Sequence, residues 1–285
     1  LANIIQHIPF YVVLFGYLLF TLLPVYLTIK ISISTFTSNT ESSVVEPLRA
    51  AIMNYSTVAF AVSKDETQFG AAFLRSIGLG IGTGTVALII SISTAYSLAR
   101  FKFKGNKFMT FLIISTQMFP GLILLIPQYI IWSNLGLLQK NVVFFGLLLA
   151  SSTGATAYCT WMMKGYFESV PIDIEEAAII DGAGRFGTFY KIALPLVKSG
   201  IIAVLLFTLI TSWQDFILAR TFITHNTKET LPLVFYTYQD LTSADAPVSF
   251  DLVAPYSIMV ALPIVVFFMI FQKDLAAGAV AGGIK

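Results

Sequence analysis

Long, nearly uncharged apolar runs recur along this chain and constrain it more than any other feature. A hydrocarbon layer about 30 Å thick takes roughly 20 apolar residues per helical crossing. Six segments meet that length, at approximately 9–30, 73–99, 108–131, 142–163, 197–219 and 254–271. Irregular backbone in lipid would leave amide groups unpaired, so each crossing is expected to be helical. The expected fold is an all-α integral membrane protein, a single transmembrane domain over residues 1–285. Only 11% of the residues are charged, whereas a soluble domain carries about a quarter. That leaves no stretch suited to a separate soluble domain.

The first run carries no charge from Ile8 to Ile29 and no small-residue cleavage site follows it, so it reads as a retained span rather than a signal peptide. Lys and Arg are confined largely to the connections. With the N-terminus in the cytoplasm, ten of the 17 fall on the shorter inner loops, four of them in Arg100-Phe-Lys-Phe-Lys-Gly-Asn-Lys107. The positive-inside rule then places both termini in the cytoplasm. The net charge of +2 is an orientation signal and does not suggest a nucleic-acid surface. Cys159 is alone, which excludes an internal disulfide, and His7 and His225 lack metal-ligand spacing.

Two outer segments, about 31–72 and 220–253, are too long for turns. The first holds Pro47, Asn54, Asp65 and Glu66, and the second Pro232, Asp245, Pro247 and Asp251. They form either a face for an extracytoplasmic partner or solvated connectors. Within the second span, Gly78-Leu-Gly-Ile-Gly-Thr-Gly84 sits inside a continuous helix rather than at a strand-to-helix turn, so it is not a dinucleotide fingerprint. Gly78 with Gly82, and Gly80 with Gly84, give the small-xxx-small spacing that admits a neighbouring helix. The third span is interrupted by Ser115, Thr116, Gln117, Pro120, Gly121 and Pro127. Proline frees carbonyls that lipid cannot satisfy, so this segment faces protein or a wet cavity. It is either a pathway wall containing Gln117 or a helix kinked for shape. Near the outer end of the fifth span stand Trp213 and Asp215. An ionisable group in a span suggests a pathway role, though near the interface it simply reaches water. Trp213 suits either sugar stacking or the interfacial aromatic belt.

The loop 164–196 between the fourth and fifth spans carries the most chemistry. Pro171 suits the first helical turn, Asp173, Glu175 and Glu176 favour its positive end, and Gly182 suits a left-handed stop. On the resulting helix Ile174, Ala177, Ala178 and Asp181 share one apolar, mostly small face that permits close docking. A helix lying in the membrane interface would instead show bulky anchors and basic residues, and here the polar face is acidic.

Glu176-Ala-Ala-Ile-Ile-Asp-Gly182, then nine residues, then Ile192-Ala-Leu-Pro195 resembles the EAA loop of permease subunits in bacterial ABC importers. The resemblance covers nearly the whole chain and is closest to the second permease subunit of maltose-like carbohydrate importers. Asn54-Tyr55, Ala95 to Gly105, Pro127-Gln-Tyr129, Asn134 to Leu137, Trp213 to Phe216, Thr230-Leu-Pro232 and the Gly-rich tail 278–285 all match. Ser199-Gly200 and Gln214 depart from the family pattern, outside the coupling motif. The resemblance implies a type I ABC importer permease fold in the bacterial inner membrane. It makes Glu176, Ala177, Ala178, Asp181 and Gly182 the coupling residues, with Gln117, Trp213 and Asp215 as pathway candidates. It also implies a dimer of ATP-binding subunits carrying ATP and Mg, a second related permease chain, and an extracytoplasmic solute-binding protein. The tail from Lys273 either reaches toward the ATPase pair or is a disordered end.

No Gly-x-x-x-x-Gly-Lys-Ser/Thr occurs, so the chain itself does not cradle ATP phosphates in a P-loop, and no cofactor is expected on it. The expectation is a transport subunit without catalytic residues. The rival is a secondary transporter using Asp215 as an ion or proton site, which leaves the acidic loop helix unexplained and for which no inverted repeat is apparent. An intramembrane protease is disfavoured, since neither His-Glu-x-x-His nor a pair of aspartates in the spans is present.

Overall fold

The computed structural model describes residues 2–34, 46–60, 69–224, 229–240 and 250–283, and these are helical with no strand among them. In order they form α1 (Ala2–Ser32), α2 (Glu46–Phe60), α3 (Phe69–Arg100), α4 (Asn106–Thr116), α5 (Gly121–Asn134), α6 (Val143–Ser169) and α7 (Ile172–Ile180). Then come α8 (Arg185–Thr188), a π-helical turn (Phe189–Ala193), α9 (Leu194–Leu196), α10 (Lys198–Gln214), α11 (Phe216–Phe222), α12 (Leu231–Asp240) and α13 (Phe250–Gly283). Among the described residues, four helical stretches are long and apolar enough to cross a membrane: Phe10–Ser32, Phe69–Arg100, Val143–Ser169 and Leu252–Asp274. Two bent pairs bring the total to as many as six.

Those two pairs depart from straight crossings. The expected third span divides into α4 and α5, which meet at 93°. Pro120 lacks an N–H and disfavours a helical residue before it, so the chain turns between Gln117 and Pro120 and resumes at Gly121. The fifth span is approached through α8, the π-helical turn and α9, which together bend 70° from α10 at Val197. It then breaks again at Asp215, whose Oδ1 accepts the Leu218 N–H at 3.1 Å and so caps α11.

The chain divides into two compact units. The first comprises Leu1–Gly70 and Val234–Pro263. Here Asn54 closes the end of α1, its Nδ2 donating to the carbonyls of Ser32 at 3.0 Å and Ser34 at 3.1 Å, while Tyr55 donates to Ser32 Oγ at 3.2 Å. Helix ends leave such carbonyls without intrahelical partners, which gives the Asn54-Tyr55 pair a structural role. Tyr256 packs edge-on to Phe69 and beside Phe235. Of the polar residues singled out in the outer segments, Asp65, Glu66, Asp245 and Pro247 lie outside the described residues.

The second unit comprises Ala71–Leu233 and Ile264–Lys285 and is built on α3, α6 and α10. The glycine run of α3 lies between the other two. A Cβ at Gly80 would fall 2.6 Å from Leu209 Cδ1, and one at Gly84 would fall 2.7 Å from Thr208 Oγ1, both on α10. Gly78 and Gly82 instead face Phe144 and Leu148 of α6. The two spacings therefore serve two different neighbours, each brought within backbone-close range. Apolar clusters fill both ends of this packing. Leu79, Val143, Leu147, Leu218 and Phe222 form one, and Ala95, Cys159, Met163, Phe167 and Val204 form the other. The last helix continues through Gly283, so the tail from Lys273 is helical as far as it is described.

Candidate functional site

Helix α7 begins after Pro171, whose φ of −57° and ψ of 131° make it the residue before the helix rather than its first turn. It ends in a Schellman closure. The Ala183 N–H donates to Ala178 O at 2.9 Å and the Gly182 N–H to Ile179 O at 3.0 Å, with Gly182 at φ +89°. That geometry requires the left-handed conformation that glycine adopts without a Cβ penalty. Around this stop the surface is open: Glu176, Ala177, Asp181 and Gly182 are exposed and Ala178 is half-buried. Ile180 and the neighbouring Phe186 are 85% and 84% exposed, far beyond what large apolar side chains keep in a settled interior.

The opposite side of α7 is fixed. Glu175 is buried, and its Oε1 accepts from Arg100 Nε at 2.7 Å and forms an ion pair with Arg100 Nη2, also 2.7 Å away. Its Oε2 accepts the Tyr96 hydroxyl at 2.9 Å. Arg100 also donates to the carbonyl of Val170, the residue closing α6, at 3.0 Å. A cation at the end of α3 and a carboxylate in the first turn of α7 each suit the local helix dipole. Removing one member of such a buried pair typically costs about 3–5 kcal/mol, because the other charge is left unpaired. Tyr96 further packs among Phe101, Phe167 and Phe189, with ring centroids 6.2, 5.3 and 4.7 Å away, and Arg185 lies over the Phe101 ring. The ends of α3 and α6, the start of α7 and the π-helical turn thus meet at one junction.

A cavity of about 450 Å³ lies within the same unit, between the turn after α4 and helices α5, α6, α10 and α11. Gln117, Gln128, Ser151, Tyr158, Thr211 and Asp215 contribute polar groups to its wall, and Leu122, Leu125 and Phe207 apolar ones. Its size and mixed lining are those of small-molecule sites. The Ser151 hydroxyl has no hydrogen-bond partner among the described residues. Tyr158 and Phe207 stack with centroids 4.4 Å apart and form an aromatic wall. Gln117 and Asp215, expected on a pathway, both line this cavity. Trp213 does not: it is buried, edge-on to Phe73 at 5.7 Å. The helix ends between them: Trp213 lies within α10 and packs inward, whereas Asp215, at φ −76° and ψ 89°, stands at the break before α11 and lines the cavity. The aromatic surface comes from Tyr158 instead. Its signal in the sequence is the small, polar run Ser151 to Thr156, which opens one side of an otherwise apolar span.

The family model for the inner membrane component of binding-protein-dependent transport systems matches residues 87–278, which hold the cavity, the junction and α7. The chain belongs to this permease family. The sulfoquinovosyl glycerol transport system permease protein of Agrobacterium fabrum is 32% identical over 67% of this chain and 65% of its own length. The galactooligosaccharides transport system permease protein of Bacillus subtilis is 30% identical over 78% of this chain and 76% of its own. The matched stretches thus span about two-thirds to three-quarters of these permeases' length. The solved structure of a bacterial ABC transporter involved in the import of the acidic polysaccharide alginate shares the fold of this permease. Its TM-score is 0.77 at 24% identity, covering 95% of this chain and 97% of that one. The permease is a multi-pass membrane protein with the helical fold of ABC importers, and its relatives are named for transport rather than for catalysis.

Proposed function

We propose that this permease carries a sugar or oligosaccharide into the bacterial cytoplasm by alternating access, driven by ATP hydrolysis on a separate pair of subunits that dock on α7. The observation that carries the reading is the two-sidedness of α7. Its inner side is anchored through Glu175, while Glu176, Ala177 and Ile180 stand outward beside the rigid Gly182 stop. A small-faced helix end of this kind suits insertion into a cleft on another protein. On this reading both termini and α7 are cytoplasmic, and ATP with Mg belongs to the partner. A second permease chain would complete the pathway, and a solute-binding protein would deliver substrate from outside. The exposed apolar sides of α4 and α5, which bury no residue among those described, suit lipid or that second chain. The relatives' names support a carbohydrate substrate, and the Tyr158–Phe207 wall with amide and hydroxyl groups around it suits a sugar ring.

Uptake of the solute-binding protein's sugar into proteoliposomes holding the assembled transporter tests the reading. Uptake is expected to require enclosed hydrolysable ATP and to survive an uncoupler. Uptake that persists without ATP and collapses with the uncoupler would contradict it. Asp215 supports this reading over ion coupling, because its carboxylate caps α11. Asparagine is as good a cap as aspartate, so Asp215→Asn is expected to keep uptake within about twofold of the parent.

A further inference from the structure

We propose that the buried pair Arg100 and Glu175, with Tyr96, is the joint through which displacement of α7 reaches the membrane-spanning helices. The proposal rests on α7 being the ATPase docking helix and adds how its motion leaves the loop. Chain connectivity alone would pass a push on α7 backward through Val170 into α6 or forward through Gly182 into α8. Both routes run through short extended or left-handed linkers, Val170 at φ −82° and ψ 124° and Gly182 at φ +89°. At each of them the chain changes direction, so neither carries a push straight along a helix axis. The Arg100–Glu175 contact bypasses them, because Arg100 is the last residue of the 32-residue helix α3. Through the guanidinium, Glu175 of α7 and the Val170 carbonyl at the end of α6 are held by one rigid, planar group. Both side chains are nearly dry, at 8% and 6% exposure, so the contact is neither screened by salt nor exchanged with water as a surface pair would be.

What α3 would then do follows from its packing. Its glycine face lies against α6 and α10 at backbone-close range, and α10 carries Thr211 while α6 carries Ser151 and Tyr158 of the cavity wall. A displacement entering α3 at Arg100 is passed by close contact to the two helices that line the cavity. Packed interiors respond to such shifts as units rather than by local compression. Arg100, Glu175 and Tyr96 are accordingly positioning residues, in contact with neither sugar nor nucleotide.

The test uses the complete transporter, with its ATPase pair, second permease and solute-binding protein, in proteoliposomes. Arg100→Gln and Glu175→Gln each leave one buried charge unpaired, whereas the double variant leaves none. The double variant is therefore expected to assemble better than either single variant. Its sugar uptake per ATP hydrolysed is nonetheless expected to fall about tenfold, a size typical of coupling between two linked sites. Tyr96→Phe keeps the aromatic packing and removes one hydrogen bond to Glu175, and is expected to lose about threefold in the same ratio. Parental uptake per ATP in the double variant overturns the proposal. So does a defect that follows only the amount of assembled complex, which would give the pair a folding role. If the double variant does not assemble, a parental ratio in Tyr96→Phe overturns it. Failure of the docking reading looks different: a Gly182→Val permease would then transport normally, whatever the Arg100 and Glu175 variants do.

Discussion

Gly182→Val is expected to abolish sugar uptake and the stimulation of ATP hydrolysis by loaded solute-binding protein, while the chain reaches the membrane in normal amount. Gly182 sits at φ +89°, where a side-chain-bearing residue costs about 1–2 kcal/mol and a β-branched one is least tolerated. The residue closes α7 through two hydrogen bonds, so strain there either opens the Schellman closure or re-aims the chain into α8. A Cβ at this position meets nothing within 4 Å, so valine displaces no packed atom of the permease itself. The loss should therefore appear only where another protein must fit against α7. Gly182→Ala introduces most of the backbone strain with little bulk, so comparing the two in uptake assays separates conformation from steric exclusion. Normal uptake by Gly182→Val, with the chain present at normal level, would refute the docking role of α7.

Gly154→Trp is expected to reduce uptake at least about tenfold without loss of assembly, an effect of the size that follows from filling the site on which binding energy depends. Gly154 lines the cavity from the middle of α6, and its Cβ direction is open, with nothing within 4 Å. A large ring there occupies the cavity without overpacking the helix interfaces. Gly154→Ala should leave uptake near normal and stabilise α6 slightly, because glycine inside a helix costs up to about 1 kcal/mol relative to alanine. Substrate uptake and thermal unfolding of the purified complex, measured side by side, check both halves. Transport by Gly154→Trp at the parental rate would place the substrate route elsewhere.

The presence of long apolar helices at α1, α3, α6 and α13 was legible in the sequence, though not where they end, because a crossing helix needs only a long run without charge. The glycine run of α3 was legible as a close-packing face, although its service to two neighbours depends on where α6 and α10 lie. The breaks were less so. Pro120 announced an interruption, but whether it kinks a helix or turns the chain by 93° is decided by tertiary contacts. Asp215 read as an ionisable group in a span because its capping partner, Leu218 N–H, exists only once the helix is broken there. The Glu175 contact was hidden for a related reason. In sequence, Arg100 belongs to a basic cluster that reports orientation and Glu175 to an acidic helix start, and only the fold brings them within 2.7 Å across 75 residues. Glu176, next to it, faces outward, so two neighbouring acids meet opposite surroundings that only side-chain direction distinguishes.

The docking role of α7 is tested most directly by a photocrosslinking amino acid placed at Ile180, the most exposed large apolar residue on that helix, in the assembled transporter. Crosslinks to the ATP-binding subunit are expected, with a yield that changes when a non-hydrolysable ATP analogue closes the ATPase pair. Crosslinks confined to lipid or to the second permease chain, with the ATP-binding subunit untouched in every nucleotide state of an active complex, would contradict it.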